Sequence, residues 1–332
     1  MPRKMVFALW LFVAVGQAAC GGDDGTANEQ GESGSEDAGG ANAADNGKVV
    51  DDLPKVPKIT DSAVEAYEAG EAIIPAGEEV LNCYYLPSIE EDKYVSALKS
   101  YQGKFGHHFV LFQAVKRYEP GTVRTCNTAA DMASMRPIIS SVNFGLSEFP
   151  EGMAIRVPAG AQMVLQQHYV NTSDHAVRTR DVMHLTTMKK DEVKLLAGFY
   201  GLANVDFKIE PGATDFSVIF ECKTPRAMNL LLMGPHMHEW GTSITTDVEV
   251  DGVMDNVISI PKWEPWFRDM PPVKEWSVDK PMVLAEGAML RTECKFSNSG
   301  QKALEFPHEM CATYGYYFPA PEGSEAWTCD GK

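Results

Sequence analysis

From residue 73 onward the chain is a succession of short apolar or alternating runs cut by Gly, Pro, Asn and Asp. The clearest are 80–86, 108–114, 162–170, 216–222, 227–233, 243–250, 289–296 and 312–318. Runs of this length bounded by turn residues predict β-strands, and many of them in series predict an all-β protein built of antiparallel β-sandwiches. No long run with a 3.6-residue period is present. One short helix is expected over 61–68, capped by Thr60 or Asp61. Order is expected to begin near Val56. About 270 ordered residues exceed one sandwich, so two in tandem are expected, with the boundary in Lys189-Lys190-Asp191-Glu192. That gives an N-terminal domain over 56–192 and a C-terminal domain over 193–330, with no sequence repeat between them.

The first 55 residues read differently. Arg3 and Lys4 precede an apolar run over 5–15, too short to span a bilayer but suited to a signal peptide. Gly16, Ala18, Ala19 and Cys20 follow. This resembles a bacterial lipoprotein signal, with 1–19 removed and Cys20 acylated, although Gln17 stands where leucine is usual. Residues 20–55 then form a disordered acidic tether. Its stretch 21–47 carries seven acids, no Lys or Arg and no aromatic residue, too little apolar surface to offset ordering entropy. The expected location is the bacterial cell envelope, exported and lipid-anchored, facing the periplasm or the outer surface.

Charge and cysteines narrow the function. The formal net charge of −17 excludes nucleic acid as a natural partner, because phosphate neutralisation needs a basic surface. Setting Cys20 aside, six cysteines remain: Cys83, Cys126, Cys222, Cys294, Cys311 and Cys329. None forms a C-x-x-C, so an exported chain with an even count predicts three disulfides, their connectivity left open by composition.

The candidate chemistry lies in the histidines, of which there are eight. His236 and His238 are two apart, on one face of a strand. His107-His108 and His168 sit in other strand-like runs, and Met310 in a third. Imidazole and thioether donors together favour copper over zinc, magnesium or calcium. Adjacent residues of a regular strand face opposite ways. His107 and His108 therefore require either a bend after Gly106 or ligation through different ring nitrogens.

The order Cys83, His107-His108, Cys126, His168, Cys222, His236-x-His238, Cys294, Met310-Cys311, Tyr314, Cys329 resembles the copper type II, ascorbate-dependent monooxygenases. That family includes peptidylglycine α-hydroxylating monooxygenase and dopamine β-monooxygenase. His107-His108-Phe109-Val110-Leu111-Phe112, Leu165-Gln166-Gln167-His168-Tyr169, Leu196-Ala197-Gly198-Phe199-Tyr200, Ile209-Glu210-Pro211-Gly212 and Glu309-Met310-Cys311 carry the likeness in detail. The resemblance implies two jelly-roll-like sandwiches and two copper ions per chain. His107, His108 and His168 would hold an electron-transfer copper; His236, His238 and Met310 would hold the copper that meets oxygen. It implies the disulfides Cys83–Cys126, Cys222–Cys329 and Cys294–Cys311. It also implies O₂, an ascorbate-like reductant and a small-molecule or peptide-like substrate hydroxylated at a C–H bond, with no catalytic carboxylate. A monomer is expected. The alternative is a non-catalytic lipoprotein that binds or delivers copper.

Gln166, two before His168, would lie on an electron route or orient a ligand by a hydrogen bond. Tyr314 would stand near the oxygen-binding copper or simply pack. His308 is expected to be exposed, His184 structural and His175 in a turn. Trp240, Trp263, Trp266 and Trp276 either line a substrate mouth or pack. Two positions depart from the peptide-amidating branch. Gly234 replaces an arginine that holds the substrate carboxylate, and Ala312 replaces an asparagine, so peptide amidation is not expected.

Overall fold

The predicted runs become strands with little adjustment. In the computed structural model, which describes residues 49–142, 146–268, 270–306, 308–323 and 326–330, they form Glu79–Ser88, Gly106–Ala114, Gln162–Val170, Phe216–Lys223, Met228–His236, Gly241–Val250, Met289–Phe296 and Cys311–Phe318. Met289–Phe296 alternates half-buried and buried positions along its whole length, as a strand with one face on a core must. Gln162–Val170 is buried at every residue but the last, which marks it as a central strand covered on both faces.

The protein is all-β, built of layered and largely antiparallel sheets. A five-stranded sheet runs in the order Val123–Thr125, Glu79–Ser88, Gln162–Val170, Gly106–Ala114, Met135–Val142. A four-stranded sheet runs Phe216–Lys223, Met289–Phe296, Gly241–Val250, Val253–Ile260. An eleven-stranded sheet backs both. Its path passes from Met228–His236 through Cys311–Phe318 and Leu195–Asn204 to Met153–Val157 and Lys93–Tyr101. The step from Met153–Val157 to Leu195–Asn204 is a parallel pairing. Two main apolar cores result. One gathers Leu98, Phe109, Leu111, Met163, Leu165 and Leu185; the other gathers Tyr200, Phe220, Leu230, Met237, Leu290 and Phe296.

All three disulfides form as the resemblance implies: Cys83–Cys126, Cys222–Cys329 and Cys294–Cys311. Cys294–Cys311 ties the four-stranded sheet to the long one. Beside it the buried hydroxyls of Thr246, Thr292 and Thr313 bond mutually at 2.9–3.1 Å. Three disulfides suit an oxidising compartment outside the cytoplasm. Among the described residues no helix is long and apolar enough to cross a membrane. The signal segment, Cys20 and residues 20–48 of the tether lie outside the described residues.

Two expectations are corrected. The helix over 61–68 is instead the strand Val64–Glu68, paired with Val182–Thr186; a row of cross-strand partners outweighs a weak local helical preference. Order also begins before Val56. Val50 and Asp51 pair in parallel with Val177 and Arg178, and the Asp52 carboxylate accepts the Lys104 and Phe105 N–H groups. A short polar segment is ordered here by a sheet edge that its composition gives no sign of.

Asp181 is fully buried. Its carboxylate accepts from Gln102 at 3.1 Å, Gln167 at 2.9 Å and Thr179 at 2.9 Å, and from the Tyr169 hydroxyl. Burial raises its pKa despite these four donors. The folded state then keeps a proton that the unfolded chain releases above about pH 4. Stability accordingly falls as pH rises from there to the raised pKa, and is level above it. Urea melts at steps across that window should show a smaller fall for Asp181→Asn than for the parent. Parallel curves would contradict this.

Candidate functional site

The first cluster is built on the five-stranded sheet. His168 lies directly opposite His108 on one neighbouring strand and Leu81 on the other. One step further the ladder slips: Tyr169 faces Gly106. Two residues on one strand thus oppose one on the other, and His107 is the extra residue of a β-bulge. The bend expected after Gly106 is present. It frees His107 from strict alternation and brings its ring to the side of the other two. A Cβ at Gly106 would stand 2.3 Å from the Gln102 Cβ, so the bulge cannot take a larger residue without moving Gln102.

One ring nitrogen from each of His107, His108 and His168 lies within 4.8 Å of the others. Nδ1 of His168 is 3.2 Å from Nδ1 of His108. Two nitrogens held by one tetrahedral ion at about 2.0–2.1 Å stand roughly 3.3 Å apart, so this spacing suits a shared metal. Burial above all, and then the neighbouring imidazoles, push the pKa of His108 well down. Burial also lowers that of His168, which is 2% exposed. Neutral rings with lone pairs to share are what a metal requires.

Nε2 of His168 meets Glu79 Oε1 at 2.7 Å. Glu79 in turn bonds Nη2 of Arg268. Burial alone would raise the pKa of Glu79, but His168 and the Arg268 guanidinium hold it down at about 2. Arg268 comes from the short 3-10 turn Pro265–Arg268, and its Nη1 also reaches Glu239 at 3.0 Å. Glu239 follows His238 directly, so one guanidinium touches the surroundings of both histidine groups.

The second cluster lies at one end of the eleven-stranded sheet. His236 ends its strand opposite Ala312, and the rings of His236 and His238 are 5.1 Å apart. Met237 between them is fully buried in the core, which fixes the two imidazoles on the other side. Glu309, 0% exposed, does the remaining work. Its Oε2 accepts the N–H of His238 at 2.9 Å and of Met310 at 3.3 Å; its Oε1 accepts the N–H of Trp240 at 2.7 Å. The strand pairing ends at His236 and Ala312, two residues short of His238 and Met310, so the Glu309 carboxyl is what ties these two segments together. Burial pushes the Glu309 pKa up to about 8, against the three N–H donors. His238 Nδ1 lies 3.1 Å from the His308 carbonyl. A carbonyl only accepts, so Nδ1 carries the proton and Nε2 keeps the lone pair. Trp263 Nε1 donates to the His238 carbonyl at 2.8 Å.

The remaining predicted residues fall as follows. The Tyr314 ring is 6.4 Å from that of His236, and burial lifts its pKa to about 12. Of the two readings of Gln166, the hydrogen bond that orients a ligand is not the one it makes. Its amide N–H groups reach the sulfurs of Cys126 and Met132, each at 3.6 Å, and these rather than an imidazole are its bonds, because the Cys83–Cys126 disulfide packs on that face. His308 is exposed, His184 is buried against Tyr101, and His175 sits in a bend. Trp263 is buried, whereas Trp266 is 61% exposed. A Cβ at Gly234 would meet Tyr314 and Val273 at 3.1 Å, so no larger side chain fits there without displacement. Sequence reasoning missed Glu79, Arg268 and the role of Glu309. Of these only Glu309 carried a signal, as part of Glu309-Met310-Cys311.

No protein-family model matches the chain, and no curated protein matches it. Solved structures give loose likenesses. PNGase F, a glycosylasparaginase from Flavobacterium meningosepticum, is 10% identical over 81% of this chain and 94% of its own, with a TM-score of 0.26. PNGF-II is 8% identical over 79% of this chain and 63% of its own, at 0.28. A triple jelly-roll protein of an archaeal virus is 8% identical over 78% of this chain and 61% of its own, at 0.22. At such scores nothing of these proteins carries over to this chain.

Proposed function

We propose that this chain is an exported, lipid-tethered copper monooxygenase that hydroxylates a C–H bond of a small substrate with O₂ and an ascorbate-like one-electron donor. The observation that carries the reading is the meeting of two donor groups drawn from distant parts of the sequence. Three imidazoles converge on one side. On the other, one buried carboxylate gathers His238 and Met310 beside His236. His236 lies close enough to His108 to help depress its pKa.

In this reading the domain over 56–192 holds one copper through His107, His108 and His168. The domain over 193–330 holds the other through His236, His238 and Met310. Copper would supply one-electron redox chemistry, with the thioether favouring Cu(I). A set of two imidazoles and one thioether leaves coordination positions open. Acylated Cys20 would tether the enzyme through the acidic segment to the cell envelope. The packing around Gly234 leaves no arginine to grip a carboxylate from that position, which argues against peptide amidation.

The test is ascorbate-driven O₂ uptake by the two-copper protein across a library of amines, aromatics and peptides, with ¹⁸O₂ to trace the product oxygen. Uptake coupled to a product carrying one labelled oxygen is expected. Tight copper binding with transfer to an acceptor protein and no product would establish copper carriage instead.

A further inference from the structure

Most of the polar groups around the clusters are accounted for by backbone or disulfide packing; Glu79 and Arg268 are not. Glu79 opens its strand with a side chain 41% exposed, whereas Arg268 is only 11% exposed. A long cationic side chain is enclosed next to two histidine groups, held by carboxylates on either side: Glu79 and Glu239.

The contact between His168 Nε2 and Glu79 Oε1 at 2.7 Å fixes a proton. An ionised carboxylate only accepts, so Nε2 carries the hydrogen and the lone pair of His168 is on Nδ1. Nη2 of Arg268 is a second donor to that oxygen; it also stands 3.0 Å from Nε2, but in this tautomer both atoms are donors and the pair makes no hydrogen bond. Nδ1 is the atom that faces His108 at 3.2 Å. A carboxylate behind a ligating imidazole selects its tautomer, orients its ring and raises its basicity. Here the carboxylate is itself held by an arginine from the turn that packs beside the second cluster.

We propose that Glu79 and Arg268 are positioning residues of the first cluster. The chain Glu239–Arg268–Glu79–His168 lets the segment beside the second cluster set the tautomer of His168. This rests on the metal reading above only in its last link, since the tautomer exists with or without a metal. It makes the quality of the first site depend on residues that lie between His238 and Met310 in sequence. Lengthening or breaking the bridge should loosen the first metal and leave the second in place.

The experiment uses the full chain in copper-free and copper-loaded form. In ¹⁵N-histidine-labelled copper-free protein, long-range ¹H–¹⁵N spectra should show His168 as the Nε2–H tautomer. Glu79→Ala should give a tautomer mixture, and Arg268→Met a smaller change in the same direction. Competition against a copper chelator should show one site weakened by about 10–100-fold in Glu79→Ala, less in Arg268→Met, with the other site unchanged. Arg268→Lys should recover part of the loss, because an ammonium can hold Glu79 but not both carboxylates in a fork. A wild-type Nδ1–H tautomer, or a tautomer and first-site affinity unmoved in both variants, overturns the proposal. A wild type that binds no copper sinks the metal reading while the tautomer result stands or falls separately.

Discussion

His108→Ala loses one of the two coppers and all turnover, while the second copper stays. His236→Ala gives the mirror result. The argument is geometric. Nδ1 of His108 and Nδ1 of His168 stand 3.2 Å apart, and His107 joins them through the bulge. Without His108 two imidazoles remain, their rings 5.1 Å apart, one donor short of the set. The loss in first-site affinity should exceed the roughly hundredfold seen when only an outer partner of a ligand is removed. The substitution should cost the fold little, since a half-buried imidazole whose charged form is disfavoured is replaced by a smaller apolar group. Metal analysis after gel filtration and oxygen-electrode traces check both halves. A His108→Ala protein that keeps two coppers and its turnover would remove the first cluster from the account.

The second large effect is expected at Glu309. Truncation to alanine leaves the N–H groups of His238, Trp240 and Met310 without their acceptor. Each buried donor left unmade costs about 1–3 kcal/mol. Relief from burying a carboxylate, which the raised pKa reports, offsets part of this. A net loss of about 3 kcal/mol is expected, together with the second copper, because the segments bearing His238 and Met310 are no longer held together. Glu309→Gln should fall between, since its amide oxygen can still accept from one side while its NH₂ opposes a donor on the other. Urea melts of the copper-free protein separate stability from metal loss. A melt within about 0.5 kcal/mol of the parent for Glu309→Ala, a change typical of uninvolved surface positions, would contradict the role assigned to it.

The strands could be read because their physics is local. A run such as 289–296 alternates every second residue, and the structure alternates burial in step. The same locality misled at 61–68, where helical preference was weak and the deciding partner, Val182–Thr186, lies more than a hundred residues away. It also hid the pairing of Val50–Asp51, since nothing in a polar stretch announces a sheet edge that will accept it.

The site divides along the same line. The His107-His108 conflict with strand alternation is visible in two adjacent letters, and so is its remedy at Gly106. His236-x-His238 needs only the two-residue period. Gln166 shows the limit: it shares a strand face with His168, yet what it meets there depends on which cysteine and methionine fold over that face. Glu79 and Arg268 were beyond reach altogether. Their meeting spans 189 residues, and neither sits in a run whose pattern singles it out.

The central claim is that two separate donor sets each take one copper. Anomalous scattering at the copper edge from crystals of the copper-loaded protein measures this directly. Two peaks are predicted, one among the ring nitrogens of His107, His108 and His168 and one among His236, His238 and the Met310 sulfur. Crystals of fully loaded protein with no peak at these places, or with copper only on surface residues elsewhere, would contradict the account.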